Sequence, residues 1–284
     1  MMRFLVFLLF FWAPLVADAE VLFQDPTGHA LNEAYESFTE SSLKKLEGPN
    51  RGEREYLLGL LYLNGDEEFD VEKSCKKSVS LLKQAWEHGI LDAGYSLATL
   101  YYKGACVDKR IDKARMLAVK TAEGGYLLSQ RMLGRAYWER EWVELYSKDM
   151  GKAIYWLSKA GSGGDSQSAG NLAYIYREGD GVAKDEKKSF FWIKKAAFSK
   201  FEKDGFGVSF SLFAKYFEDG IGADVDLVKA YKYYDLGGTS GLEGKQRVAE
   251  EMTQDQIDEA LRQSKEWQKE HNVQVGGGFI RRAN

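Results

Sequence analysis

The strongest constraint on this chain is a pattern that returns five times. An aromatic residue is followed three positions on by glycine at Tyr62–Gly65, Tyr101–Gly104, Tyr176–Gly179 and Phe217–Gly220. Tyr137 keeps the aromatic and has Arg140 where the glycine should stand. The aromatics are spaced 39, 36, 39 and 41 residues apart. A second pattern, lysine followed by a small residue, runs in step at Lys77-Ser78, Lys113-Ala114, Lys152-Ala153, Lys188-Ser189 and Lys229-Ala230. Two patterns with one period describe an array of supersecondary units, each of which buries its apolar face only against its neighbours.

Each unit reads as two helices. The first carries a large apolar residue four positions before the aromatic, followed by a small one: Leu58-Gly59, Leu97-Ala98, Leu133-Gly134, Leu172-Ala173 and Phe213-Ala214. Residues four apart share a helical face, and the small neighbour lets a second helix approach. The second helix repeats Leu81, Leu117, Trp156, Trp192 and Tyr233 three positions after its small residue, giving one apolar stripe. Gly89, Gly124, Gly161 and Gly237 are expected as left-handed caps where these second helices end. All three prolines lie before residue 50, so nothing later removes a helical N–H.

The set resembles the Sel-one-like repeat, a subfamily of the tetratricopeptide-type helical repeats. Ala93-Gly-Tyr-Ser-Leu97-Ala-Thr-Leu-Tyr101-Tyr-Lys-Gly104 matches the first half of that signature. Lys152-Ala-Ile-Tyr-Trp156-Leu-Ser-Lys159-Ala160 and Lys188-Ser-Phe-Phe-Trp192-Ile-Lys-Lys195-Ala-Ala197 match the second, and Gly179-Asp-Gly181-Val182 the loop between. The third repeat departs most, with Glu139-Arg140 at its turn. The resemblance implies an all-α, right-handed α-solenoid of about five helix-turn-helix repeats with a concave surface. We expect a signal peptide at 1–19, an N-terminal capping segment at 20–49 with a polar helix over 28–47, the array at 50–238, capping helices at 239–272 and a flexible tail at 273–284. Thr253-Gln-Asp-Gln256 reads as a capping box opening the last helix.

The leader expectation rests on Arg3, the apolar run Phe4 to Ala17 and the small-residue site Ala17-Asp18-Ala19, with cleavage after Ala19. It implies a periplasmic protein, and no later segment is apolar enough to span a membrane. A net charge of −4 argues against a nucleic-acid partner.

The chemistry-bearing residues are sparse. His29, His88 and His271 stand apart and read as surface residues, so no metal site and no cofactor is expected. Gly164-Asp165-Ser166 lacks the surroundings of a serine nucleophile and reads as a turn. Asp219, Asp224 and Asp226 lack the ligand alternation of a calcium loop. Cys75 precedes a second helix, and Cys106 replaces the second loop glycine of the next repeat. They are either a disulfide, adding about 3 kcal/mol by closing a loop of about 30 residues, or two buried thiols.

In tetratricopeptide-type arrays the first helices line the concave groove. Counting from each motif leucine, inward positions include Tyr56, Leu60, Tyr95, Tyr102, Lys103, Arg131, Arg135, Trp138, Tyr174, Arg177 and Glu178. Tyr, Trp and Arg dominate interface hot spots, and Arg131, Arg135 and Arg177 form a cationic cluster suited to an acidic partner segment. The expected function is therefore non-enzymatic binding of a partner protein. By resemblance this extends to a periplasmic immunity protein against a type VI secretion lipase effector. The alternatives are an envelope adaptor, a motor- or secretion-complex subunit, and an enzyme that binds cell-wall fragments on groove Tyr and Trp residues, with Glu139 and Glu178 as candidate carboxylates for hydrolysis.

Overall fold

The structure, a computed structural model, describes residues 19–38, 45, 50–201, 206–276 and 279–282. Ten helices form five successive pairs. The pairs are α2 (Arg51–Asn64) with α3 (Cys75–Glu87), α4 (Leu91–Lys103) with α5 (Ile111–Glu123), and α6 (Leu127–Tyr137) with α7 (Met150–Gly163). They continue with α8 (Ser166–Glu178) and α9 (Glu186–Ala197), then α10 (Phe206–Asp219) and α11 (Leu227–Leu236). Each helix packs on the next in sequence, as in a solenoid.

The two sequence patterns meet in space. The ammonium of each repeat lysine lies over the ring of the repeat aromatic: Lys77 over Tyr62 at 4.7 Å, Lys113 over Tyr101 at 5.1 Å, Lys152 over Tyr137 at 5.3 Å, Lys188 over Tyr176 at 5.2 Å and Lys229 over Phe217 at 5.4 Å. One cation–π contact per repeat holds the end of the first helix to the start of the second. The same lysine stands three residues after the N-cap in every repeat, and in four of them the N-cap side chain takes its N–H. Ser74, Asp149, Asp185 and Asp226 each accept from the backbone N–H of that lysine. The three aspartates also pair with its ammonium, at 3.3, 3.0 and 2.9 Å. The small residue that follows is buried in every repeat, because the partner helix lies against it.

The inter-helix loops need left-handed backbone at two points. Gly104, Gly179 and Gly220 end the first helices with φ of 67–71°, and Gly181 and Gly222 supply the second point at 72° and 67°. Cys106 takes that second point at φ 62° without being glycine. In the third repeat α6 stops at Tyr137, and Glu139 and Trp142 adopt φ of 57° and 56°. The turn is thus made without the missing glycine, by a longer loop that reaches Asp149.

Of the glycines expected to cap second helices, Gly89 does so, at φ 89°. At the other three sites the left-handed residue comes later, at Gly125, Gly164 and Gly238. Gly161 instead lies inside α7, where a Cβ would come within 3.1–3.3 Å of Ala169 and Trp192. The helix runs on past it because its role is close packing, not capping.

At the N-terminal end all of the expected leader, 1–19, except its last residue lies outside the described residues. From Glu20 the chain is held: Glu20 N donates to the Gly89 carbonyl at 3.0 Å, and Leu22 and Phe23 N–H groups donate to the buried Asp92 carboxylate at 2.9 and 3.1 Å. The polar helix expected over 28–47 is described only as α1, His29–Glu36. His88 is tied inward: its Nδ1 lies 2.6 Å from Glu55 Oε2, and Glu55, itself fully buried, also accepts from Arg51 Nε at 2.7 Å.

At the other end a short 3₁₀ turn (Gly238–Gly241), α12 (Leu242–Ala249) and α13 (Gln254–Glu270) close the array. The Thr253–Gln256 capping box is present. Trp267 on α13 packs edge-on against Phe210 of α10, with ring centroids 5.2 Å apart. Where a flexible tail is expected, β1 (Val273–Gly276) pairs antiparallel with β2 (Phe279–Arg282). Val273 is buried, and the Val275 N–H donates to the Gln268 side chain at 2.8 Å, so this segment is anchored to α13.

Candidate functional site: the face of the first helices

The first helices place the expected binding residues in register, but the tertiary structure uses several of them internally. Tyr56 is buried, with its ring 6.0 Å from Phe23. The N-terminal segment pinned to Asp92 covers it, and burial pushes its hydroxyl well above the usual tyrosine range. Trp138 is buried as well. Its indole N–H donates to Asp180 at 2.9 Å, and the Arg140 guanidinium lies 4.6 Å from its ring. That indole bond is the main reason the Asp180 carboxyl sits below its ordinary value. Neither side chain is a free anchor.

Tyr95 and Tyr102 are half-buried. Tyr95 packs edge-on against Tyr126 at 5.5 Å, and burial raises its hydroxyl pKa. Tyr102 is covered by Trp142, 4.7 Å away, from the long third loop. Tyr174 remains open at 42% exposure, with its ring 5.9 Å from Trp138. Leu212 on α10 is 52% exposed. Sequence reasoning missed it, because it stands one residue before the large apolar residue of the motif, Phe213, where Met132 in the third repeat is buried.

The cationic cluster is compensated. Arg131 pairs with Asp165 at 3.3 Å, Arg135 with Glu141 at 3.0 Å and Arg177 with Glu178 at 2.7 Å. The Glu178 hydrogen bond raises the Arg177 pKa above its ordinary value. Asp165 is the N-cap of α8, accepting from the N–H groups of Gln167 and Ser168, so Gly164-Asp165-Ser166 is a turn. Glu178 is exposed and Arg177 half-buried, and the two present a fixed plus–minus pair beside Tyr174. The surface is therefore a mixed polar and aromatic one rather than a cationic one.

Among the described residues, no three His, Cys, Asp or Glu side chains are placed to hold a metal ion. Nor is any described helix long and apolar enough to cross a membrane. Cys75 and Cys106 are bonded, with Cα atoms 5.0 Å apart, joining adjacent repeats.

The family description "Sel1 repeat" matches residues 55–89, 92–126, 127–165, 166–197 and 211–242. Cytochrome c oxidase assembly factor 7A of Xenopus laevis is 29% identical over 138 residues, which are 47% of this chain and 58% of that protein. A Sel1 repeat protein from Oxalobacter formigenes superposes with a TM-score of 0.63 at 20% identity, covering 83% of this chain and 98% of that one. c5321, a protective antigen of uropathogenic Escherichia coli strains with an SLR fold, gives 0.62 at 25% identity, covering 82% of this chain and 48% of that one. Each matched segment falls on one of the helix pairs built above, and with that agreement of sequence period, cation–π register and fold, the chain belongs to the Sel1 repeat proteins, as a right-handed α-solenoid of five repeats.

Proposed function

We propose that this protein is an exported, non-enzymatic adaptor that binds a partner protein along the face of its first helices. The observation that carries the reading is that Tyr174 and Leu212 stay exposed on successive first helices, α8 and α10, with the Arg177–Glu178 pair on α8. An aromatic anchor beside a fixed ion pair and an exposed leucine is the composition of an interface core with a polar rim. The Cys75–Cys106 bond supports export, since such bonds persist in oxidising compartments. The hydrogen bond from Glu20 N to the Gly89 carbonyl would fix a mature end created by cleavage after Ala19 to the first repeat.

Two finer readings use the same face and are separated by the partner. A periplasmic immunity protein would bind a secreted lipase effector, and an envelope adaptor would bind a resident envelope component. The test is recovery of partners from native envelope extract with wild type, Tyr174→Ala and Arg177→Glu/Leu212→Ser. A protein held by wild type and lost by both variants supports the groove reading, and its identity chooses between the two. Equal recovery by the variants removes it. N-terminal sequencing of the protein from fractionated cells tests export, with Glu20 expected as the first residue.

A further inference from the structure

The C-terminal ends of the second helices α7 and α9 meet at a cavity whose lining includes none of Tyr174, Arg177, Glu178 and Leu212. A cavity of about 560 Å³ is lined there by the Gly161–Gly164 end of α7 and by Phe191, Lys194, Lys195, Phe198 and Lys200. Phe191 and Phe198 are exposed at 52% and 39%, which is unusual for two phenylalanines on one wall. Gly164, at φ 110°, lets Phe201 and the Lys200 chain lie against its backbone; a Cβ there would stand 2.9–3.1 Å from both. Among the described residues none of the three lysines forms an ion pair, so their charges are free to meet a ligand. Lys195 lies 5.4 Å from the Phe191 ring and Lys200 4.7 Å from the Phe201 ring.

The charge around the cavity belongs to a wider pattern. On the five second helices Lys and Arg outnumber Asp and Glu by fourteen to five, in a chain of net charge −4. Tyr155, at the position of Phe191 one repeat earlier, is also 52% exposed, with Lys159 5.2 Å from its ring. The side of the solenoid built from second helices is thus basic and carries exposed aromatics.

The cavity also offers acceptors. The carbonyls of Ser162 and Gly163 belong to the last turn of α7 and accept no hydrogen bond from the described residues. Such carbonyls suit the N–H groups of a peptide and oppose a phosphate, which would meet the negative end of the helix. We infer that this cavity binds an acidic peptide segment of a partner protein that inserts one aromatic or aliphatic side chain between Phe191 and Phe198. Its carboxylates meet Lys194, Lys195 and Lys200, and its backbone N–H groups meet the α7 carbonyls. The site is independent of the first-helix face and lets one molecule hold two partners at once.

The test uses fluorescence anisotropy of a fluorescein-labelled synthetic peptide of alternating glutamate and glycine with one central phenylalanine. Saturable, salt-sensitive binding to wild type is expected, weakened about tenfold or more in Lys194→Glu/Lys195→Glu and severalfold in Phe191→Ala. A peptide with glycine replacing the phenylalanine should bind more weakly than its parent. Tyr174→Ala, altered on the other face, should bind as wild type does, so failure here is distinct from failure of the groove reading. Circular dichroism checks each fold, and Lys194→Gln/Lys195→Gln replaces the charge reversal if that variant unfolds. Absence of saturable binding, or equal binding by the lysine variants, overturns the proposal. So does binding to phosphatidylglycerol vesicles in place of the peptide, which would make the face a membrane contact.

Discussion

Gly59 and Gly134 occupy the same position of their repeats, yet their surroundings differ. A Cβ at Gly134 would stand 2.6 Å from Leu157 Cγ and 3.1 Å from its backbone nitrogen, whereas at Gly59 the nearest atoms are the flexible end of Leu82 at 3.1 Å. Gly134→Ala should therefore destabilise the protein by about 1–2 kcal/mol, overpacking outweighing the roughly 1 kcal/mol gained in helix propensity. Gly59→Ala should be neutral or stabilising, and thermal unfolding of the two variants checks the contrast. Asp92 gives a second residue-scale prediction. Burial pushes its carboxyl from 3.8 up to about 6, against the lowering effect of the Leu22 and Phe23 N–H groups. A folded pKa above the unfolded one means a contribution that is full below pH 3.8 and lost as pH rises through 6. The stability of wild type relative to Asp92→Asn should fall across that window, by on the order of 2–3 kcal/mol. A pH-independent difference in denaturant unfolding would contradict it. The sequence showed an aspartate near a helix start; that two backbone amides 70 and 69 residues away in the chain would close on it was not legible, because nothing local connects them.

Between elements, the disulfide and the last ion-pair network act as joints. The Cys75–Cys106 bond links residues 31 apart and fixes the start of α3 to the loop after α4. Cys75→Ser/Cys106→Gly should lower stability by about 3–4 kcal/mol, less any relief at the left-handed position 106, and reduction of wild type should match it in chemical denaturation. At the other end Glu218 of α10 accepts from Arg247 of α12 at 2.6 Å and from Tyr234 of α11 at 2.5 Å. Arg247 chiefly holds that carboxyl down at about 2. A depressed carboxyl stabilises above its ordinary 4.5 and loses that contribution as pH falls toward 2. Glu218→Gln should unfold at a higher residual fraction near neutral pH and show a shallower acid transition, by about 1 kcal/mol because Arg247 is half exposed. The repeat lysine and aromatic were both readable as periodic; their contact explains the shared period, since each copy must bring the same two residues together.

Across the whole molecule, two contiguous apolar clusters carry the fold, one built on the first three repeats and one on the last three and the cap. Removing the C-terminal cap from Gln254 onward would expose Phe210 and its neighbours, so the truncated chain should lose cooperative unfolding and aggregate, a result read by calorimetry and light scattering. The period, the helix pairs, the capping box and the solenoid class were determined by the sequence itself, because each depends on residues close along the chain and is restated five times. The binding face was only half legible. The register put Tyr56, Trp138 and Tyr174 on it alike, and the tertiary structure alone decided that the N-terminal segment covers the first, that Asp180 draws in the second, and that the third stays open. The same holds for the arginines, neutralised by acids that periodicity does not locate, and for the cysteines, whose pairing depended on a 5.0 Å approach between repeats. Local patterns state which face of a helix turns inward; only the packed chain determines what else arrives there.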